Sequence, residues 1–198
     1  MVKADNHNSN REYSRLLDKV KRKQAAGLMS SFRKLTMAEN AHTFFAMSQI
    51  KSLRLFTIGY EGRPVDEFID LFSRRGIKAI IDVREHPYSR NRNYSRRNLE
   101  SALATAGIEY IHLQNLGSPK DLRDKLRLDH DYDYFKSHYI DYLNTQTDAL
   151  SKLSNLLFTN VICLLCMERD PLRCHRSLIA ERLRQCLIDK ASVEIINL

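Results

Sequence analysis

The sequence predicts an α/β domain: a three-layer, mostly parallel sheet with helices on both faces, spanning residues 53–198 and preceded by a basic helical extension over residues 1–50. Two observations carry this. Ala79-Ile-Ile-Asp-Val83 and Val161-Ile-Cys-Leu-Leu165 are short, nearly all-apolar runs, the pattern of strands covered on both faces. These and other strand segments alternate with segments of helical apolar spacing, separated by Gly and Pro. Such alternation implies right-handed crossovers between parallel strands.

Residues 1–10 are polar and are expected to be disordered. From Arg11 to Ala26, Tyr13, Leu16, Leu17 and Val20 recur at helical spacing and Gly27 offers a stop. Met37 to Ile50 reads as a second helix, with Thr36 and Glu39 as a capping box. Leu53-Arg-Leu-Phe-Thr-Ile58 is the first strand of the domain, ending at Gly59. Pro64 suits a first helical turn, Phe68, Ile69, Leu71 and Phe72 mark the helix face, and Gly76 ends it. Ala79–Val83 is the second strand. Ser95 is placed as the cap of a helix running through Ala106, with Gly107 as its stop, and Ile108–Leu113 is the third strand. A polar loop is expected from Gln114 to about Asp131, then helices over Tyr132–Leu143 and Ala149–Leu157. Val161–Leu165 is the fourth strand, His175–Leu187 a helix, and Val193–Ile196 a closing strand.

Composition bounds the function. A formal net charge of +8 points toward anionic partners. The first fifty residues hold nine Lys/Arg against four Asp/Glu, so the extension is the more basic part. Either a DNA-binding module or a cap on the main domain would fit it. The four cysteines (Cys163, Cys166, Cys174, Cys186) cluster late in the chain, unlike a disulfide framework. No apolar run approaches the ~20 residues needed to span a bilayer, and the first residues lack a secretory signal's apolar stretch. The expected address is the cytoplasm, with no membrane partner.

In parallel α/β sheets ligands bind beyond the carboxyl ends of the strands, which nominates three loops. In the first, Gly59-Tyr60-Glu61-Gly62, the glycines permit a tight turn and Tyr60 can stack or hydrogen-bond. The second runs from Asp82-Val-Arg84 through Ser89 and Arg90 to Arg97. Residues 84–97 hold five arginines and one glutamate, a plausible clamp for phosphate or carboxylate. Asp82 closes a buried strand; it is either paired with an internal donor such as Arg84 or kept for acid–base or ribose-hydroxyl work. The third loop, Cys166-Met-Glu168-Arg-Asp170-Pro171-Leu-Arg173-Cys174-His175-Arg176-Ser177, runs from a buried strand into a helix start, where free N–H groups attract anions. Arg173, His175 and Arg176 flank Cys174 and are expected to lower its thiol pKa, which would suit a nucleophile; the other reading is a packing residue or a weak ligand contact. Glu168 is a candidate nucleophile or base for glycosidic cleavage, or else an ion-pair partner for Arg84 or Arg176.

Spacing removes some alternatives. In a cysteine phosphatase the phosphate-binding arginine would fall where this chain has Leu172 or Ala180. A rhodanese-type sulfurtransferase shares the Asp-Val-Arg strand end and a cysteine loop after a later strand; the loop here lacks its glycine, which weakens that reading but keeps it open. Structural zinc wants closely paired cysteines, whereas Cys166, Cys174 and His175 supply at most three ligands. Neither a metal nor a cofactor is expected.

Several motifs occur in order: Thr57-Ile-Gly-Tyr60, Asp82-Val-Arg84 with Pro87 and Ser89-Arg90, and Leu113-Gln-Asn-Leu-Gly117. Phe135 and Tyr139 with Tyr142-Leu143 follow, then Cys166-Met-Glu168 and Cys174-His-Arg176-Ser-Leu-Ile-Ala180. Over residues 53–198 this set resembles the domain of unknown function 488 family. Members usually carry histidine-serine where this chain has Tyr60-Glu61, and often a second glycine where it has Ser118. The resemblance implies the α/β fold and the location of the site more than a reaction.

The leading expectation is an enzyme acting on a nucleotide, nucleoside or nucleic-acid-borne base. Tyr60, Arg84, Ser89, Arg90, Arg173 and Arg176 would bind the substrate, and Glu168, Asp82, Cys174 and His175 would supply the chemistry. A thiol enzyme transferring sulfur through Cys174 or Cys166 is the second expectation, and a non-catalytic nucleic-acid or nucleotide binding module is the third. The partners in view are an anionic small molecule or nucleic acid, and a second copy of the chain.

Overall fold

The computed structural model describes Ile50–Leu198; the expectations for a disordered start and two basic helices lie outside those residues. Five strands form one sheet: β1 (Lys51–Gly59), β2 (Ala79–Asp82), β3 (Glu109–His112), β4 (Ile162–Cys166) and β5 (Ala191–Asn197). Their order is β3-β2-β4-β1-β5, and every pairing is parallel. All residues of β2 and β4 are buried, which explains their apolar sequences. The edge strands β3 and β5 are partly exposed.

Six helices connect the strands: α1 (Val65–Arg75), α2 (Arg96–Thr105), α3 (Lys120–Asp129), α4 (Tyr132–Thr145), α5 (Thr147–Thr159) and α6 (His175–Cys186). Side chains alternate across each strand, so the sheet has two apolar faces. Phe56, Ile58, Ile80 and Leu165 pack with Phe68 and Phe72 of α1 and Leu99 and Leu103 of α2. Leu55, Ile81 and Leu164 pack with Tyr139 of α4, Leu153 of α5 and Ile179 of α6 on the other side. Three layers result. No helix among the described residues is long and apolar enough to cross a membrane.

Two local expectations need correction. Residues 114–131 are not a polar loop: Gln114–Leu116 forms a short 3-10 turn and Lys120–Asp129 is α3. α3 buries no residue fully, but Leu122 and Leu126, one turn apart, pack against the core. Pairs Lys120–Asp124 and Lys125–Asp129 lie along its surface at helical spacing. Ser95 stands at the N-cap of α2, yet its hydroxyl does not cap the helix. It donates to the Ser89 carbonyl and accepts from the Ser89 amide, both at 3.2 Å, fastening the loop after β2.

The strand order reverses direction about β4, because β1 to β3 build toward one edge and β4 and β5 return toward the other. The carboxyl ends of β1, β2 and β4 therefore adjoin. Gly59 stands opposite Cys166 in the β1–β4 register, and the Val83 amide donates to the Leu165 carbonyl at 3.1 Å. The three nominated loops leave the sheet side by side.

Candidate functional site

Between these loops lies a cavity of about 380 Å³, within the ~300–1,000 Å³ usual for small-molecule sites. Tyr60, Arg84 to His86, Tyr88, Ser118, Arg123, Leu126, Arg127, Phe135, Cys166 to Glu168, Arg173 and His175 line it. A depression of about 440 Å³ elsewhere is walled by α5 alone, from Asp148 to Thr159. It gathers no groups from separate elements, so the strand-end cavity is the candidate site.

One wall is built on a buried ion pair. The fully buried Asp82 carboxylate accepts from the Arg84 amide at 3.0 Å and from Arg84 Nε at 2.9 and 3.1 Å. It also accepts from the Tyr110 hydroxyl at 2.7 Å. Burial and the Asp82 charge push the Tyr110 hydroxyl well above the usual tyrosine range. Burial opposes the Arg84 charge, but hydrogen bonding and attraction to Asp82 outweigh it and raise the Arg84 pKa. Arg84 Nη1 then donates to the Tyr94 carbonyl at 2.9 Å and the Tyr60 hydroxyl at 3.3 Å. Tyr60 stacks on Tyr94 with centroids 4.4 Å apart. Of the two roles open for Asp82, the structure shows pairing with Arg84; the carboxylate does not line the cavity.

The floor is a cluster of four groups. Cys166 ends β4, Cys174 stands at the N-cap of α6, and His175 is that helix's first residue. Glu168 Oε2 accepts from Cys166 Sγ at 2.9 Å and Cys174 Sγ at 3.0 Å. His175 Nδ1 lies 3.6 Å from Cys166 Sγ, and its Nε2 lies 2.8 Å from the Val83 carbonyl. Burial works to raise the Glu168 pKa, but hydrogen bonds from both thiols and the His175 charge hold it below the ordinary carboxylate value. For His175, burial works downward, and contacts with Cys174, the Val83 carbonyl and Glu168 outweigh it and raise the pKa.

The expectation of a lowered Cys174 pKa is reversed. Cys174 is 1% exposed, and burial pushes its thiol well above the ordinary value, with Cys166 adding to the rise. Burial likewise raises Cys166. The flanking arginines do not compensate. Arg173 is exposed, while fully buried Arg176 donates to the carbonyls of Glu168 and Arg169 and, at 3.3 Å, to Thr57 Oγ1. Arg176 therefore lies outside the lining and fixes the Glu168 loop from below. Close packing of loop and strand leaves no room for a side chain at Gly59, whose Cβ would stand 1.8 Å from the Glu168 carbonyl oxygen.

Of the substrate-binding candidates, Tyr60, Arg84 and Arg173 line the cavity, whereas Ser89, Arg90 and Arg176 do not. Ser89 is held by Ser95 and Arg90 is exposed. Sequence reasoning missed Arg123 and Arg127, because they sit on α3, read as a loop. Arg123 pairs with Glu85 at 2.5 Å and donates to the Ser118 carbonyl. Arg127 pairs with Asp124 at 3.0 Å. Ser118 was also missed as a lining residue: it is 2% exposed, and its hydroxyl finds no hydrogen-bond partner among the described residues. A buried polar atom left so is costly unless water or a ligand in the cavity satisfies it. Its signal was the serine standing where the resembled family often has glycine.

The family model described as Domain of unknown function DUF488 matches residues 64–183. No curated protein and no solved structure matches the chain. The chain belongs to the DUF488 family.

Proposed function

We propose that this protein is an enzyme acting on a nucleotide, nucleoside or nucleic-acid-borne base in the strand-end cavity. One observation carries the reading: a single cavity joins Glu168, Cys166 and His175 at its floor to arginines, aromatic rings and the unpartnered Ser118 hydroxyl on its walls. Arg173 and Arg127 are exposed where an anion would enter, and guanidinium forks suit phosphate oxygens. Tyr88, 77% exposed, and Met167, 47% exposed, offer apolar surface to a planar base. Ser118 Oγ would bond a sugar hydroxyl or base edge.

Glu168, held ionised by the two thiols, suits a nucleophile or base. Arg84 would act by holding Tyr60, and Arg176 by holding the Glu168 backbone. Both are positioning residues.

The test is the Glu168→Gln protein, assayed against nucleoside monophosphates, nucleosides and single-stranded oligonucleotides for binding and turnover. The reading expects binding to persist and turnover to fall by at least about 100-fold, the scale of a lost acid–base group. Unchanged turnover would remove Glu168 from the chemistry. In the same assay Arg173→Ala should weaken phosphate-bearing ligands about tenfold or more, as charged hydrogen bonds are worth about 1.5–3 kcal/mol, and leave uncharged nucleosides less affected.

A further inference from the structure

We infer that Cys166, Cys174 and His175, with Glu168 in the fourth position, bind one soft divalent transition-metal ion of the zinc class. The inference goes beyond the proposed substrate and stands without it. One ligand atom from each residue lies within 4.8 Å of all the others. Two sulfurs and an imidazole favour zinc-like ions over magnesium or calcium, which prefer all-oxygen sites.

One edge already matches a tetrahedral site. Zinc–sulfur bonds of ~2.3 Å and zinc–nitrogen bonds of ~2.0–2.1 Å imply a sulfur–nitrogen edge of roughly 3.5 Å. His175 Nδ1 and Cys166 Sγ are 3.6 Å apart. The two sulfurs already converge on one carboxylate oxygen, at 2.9 and 3.0 Å. His175 supplies a further sign. An N–H on Nε2, donated to the Val83 carbonyl 2.8 Å away, leaves Nδ1 free to accept an ion; the Cys166 sulfur stands 3.6 Å from Nδ1 and 4.0 Å from Nε2, so its thiol must turn toward the Nδ1 lone pair on binding. A backbone carbonyl holding the far nitrogen is how metal-ligating imidazoles are usually oriented.

The objection drawn from spacing loses its force in the fold. A close cysteine pair is needed when one loop must supply both ligands. Here the end of β4 and the start of α6 bring Cys166 and Cys174 together, and Glu168 between them adds the fourth donor. The Glu168 loop is fixed through its backbone by Arg176. Cys166, Glu168 and His175 line the cavity, so the fourth position faces the substrate. Three firm ligands and one exchangeable position are the pattern of catalytic zinc. Binding is a balanced exchange without redox change: two S–H protons leave to solvent and two sulfur–metal bonds form.

The test uses the full chain, reduced, stripped with a chelator and titrated with cobalt(II). The expected result is saturation near one cobalt per chain, with thiolate-to-cobalt charge-transfer absorption, intense tetrahedral visible bands and displacement by zinc. Cys174→Ser should cut the charge-transfer band by about half or more, because half the sulfur ligands are gone. Cys186→Ser, at an exposed cysteine outside the cluster, should leave the spectrum unchanged. Absence of the band in the wild-type chain, or an unchanged band in Cys174→Ser, overturns the inference. If Cys174→Ser fails to fold, a thiol-specific mercurial added to the zinc-loaded wild type decides: zinc must leave in step with two thiols, and release without thiol consumption overturns the site. Nucleotide binding by a chain with no cobalt spectrum would sink the metal site alone. A normal cobalt spectrum with no nucleotide, nucleoside or oligonucleotide binding would sink the proposed function alone.

Discussion

Asp82→Asn exposes how the cavity wall is held. The substitution keeps volume and shape but removes the charge that faces Arg84. Asp82 is fully buried and Arg84 is 6% exposed, so water cannot replace the lost carboxylate. Removing one member of a buried ion pair costs about 3–5 kcal/mol. The asparagine oxygen can still accept from the Arg84 amide and one other donor, which places the expected loss near ~3 kcal/mol. With total stability of about 5–15 kcal/mol and a urea slope of about 1–3 kcal/mol/M, the unfolding midpoint should fall by about 1–3 M. Circular dichroism of urea-treated protein reads this directly. Adding Arg84→Met removes the stranded charge, so the double variant should lose less than the two single losses combined. A loss below about 0.5 kcal/mol for Asp82→Asn, the range of ordinary surface changes, would refute the claim that this pair sustains the wall.

Further outcomes follow from the same geometry. Gly59→Ala places a Cβ 1.8 Å from the Glu168 carbonyl oxygen; it should cost ~3 kcal/mol or more by forcing strand and loop apart, read as a lower thermal midpoint. Iodoacetamide at neutral pH should label Cys186 and spare the buried Cys163, Cys166 and Cys174, and rapid labelling of Cys166 or Cys174 in the folded protein, located by mass spectrometry, would revive a thiol mechanism. Arg127→Ala should change stability by less than about 0.5 kcal/mol, because its pairing with Asp124 is exposed, while weakening binding of phosphate-bearing ligands by titration calorimetry; an equal effect on uncharged nucleosides would contradict an electrostatic role.

The sheet was legible because β2 and β4 are buried on both faces and so carry nearly unbroken apolar sequence. The three loops were legible because parallel topology fixes which strand ends meet. α3 was obscured by its chemistry: it buries no side chain fully, and its charges read as a solvated loop unless the four-residue spacing of Lys120–Asp124 and Lys125–Asp129 is noticed. Arg123 and Arg127 were lost with it. Arg176 misled in a different way. Guanidinium chemistry suggested a ligand, but His175, Arg176, Ile179, Ala180 and Leu183 form the buried face of α6. That periodicity already places Arg176 inward, where it serves backbone carbonyls. For Cys174, neighbouring positive residues in the sequence gave no measure of burial, and burial decides the direction of its pKa.

The most direct test of the central claim is a nitrogen-15 amide shift map of the labelled chain during titration with a nucleoside monophosphate. Saturable changes should concentrate at Tyr60, Arg84 to Tyr88, Ser118 and Met167 to His175, and Ser118→Ala should weaken them while the remaining spectrum stays folded. Shifts confined to the α5 depression between Asp148 and Thr159, or none at millimolar ligand, would contradict the account.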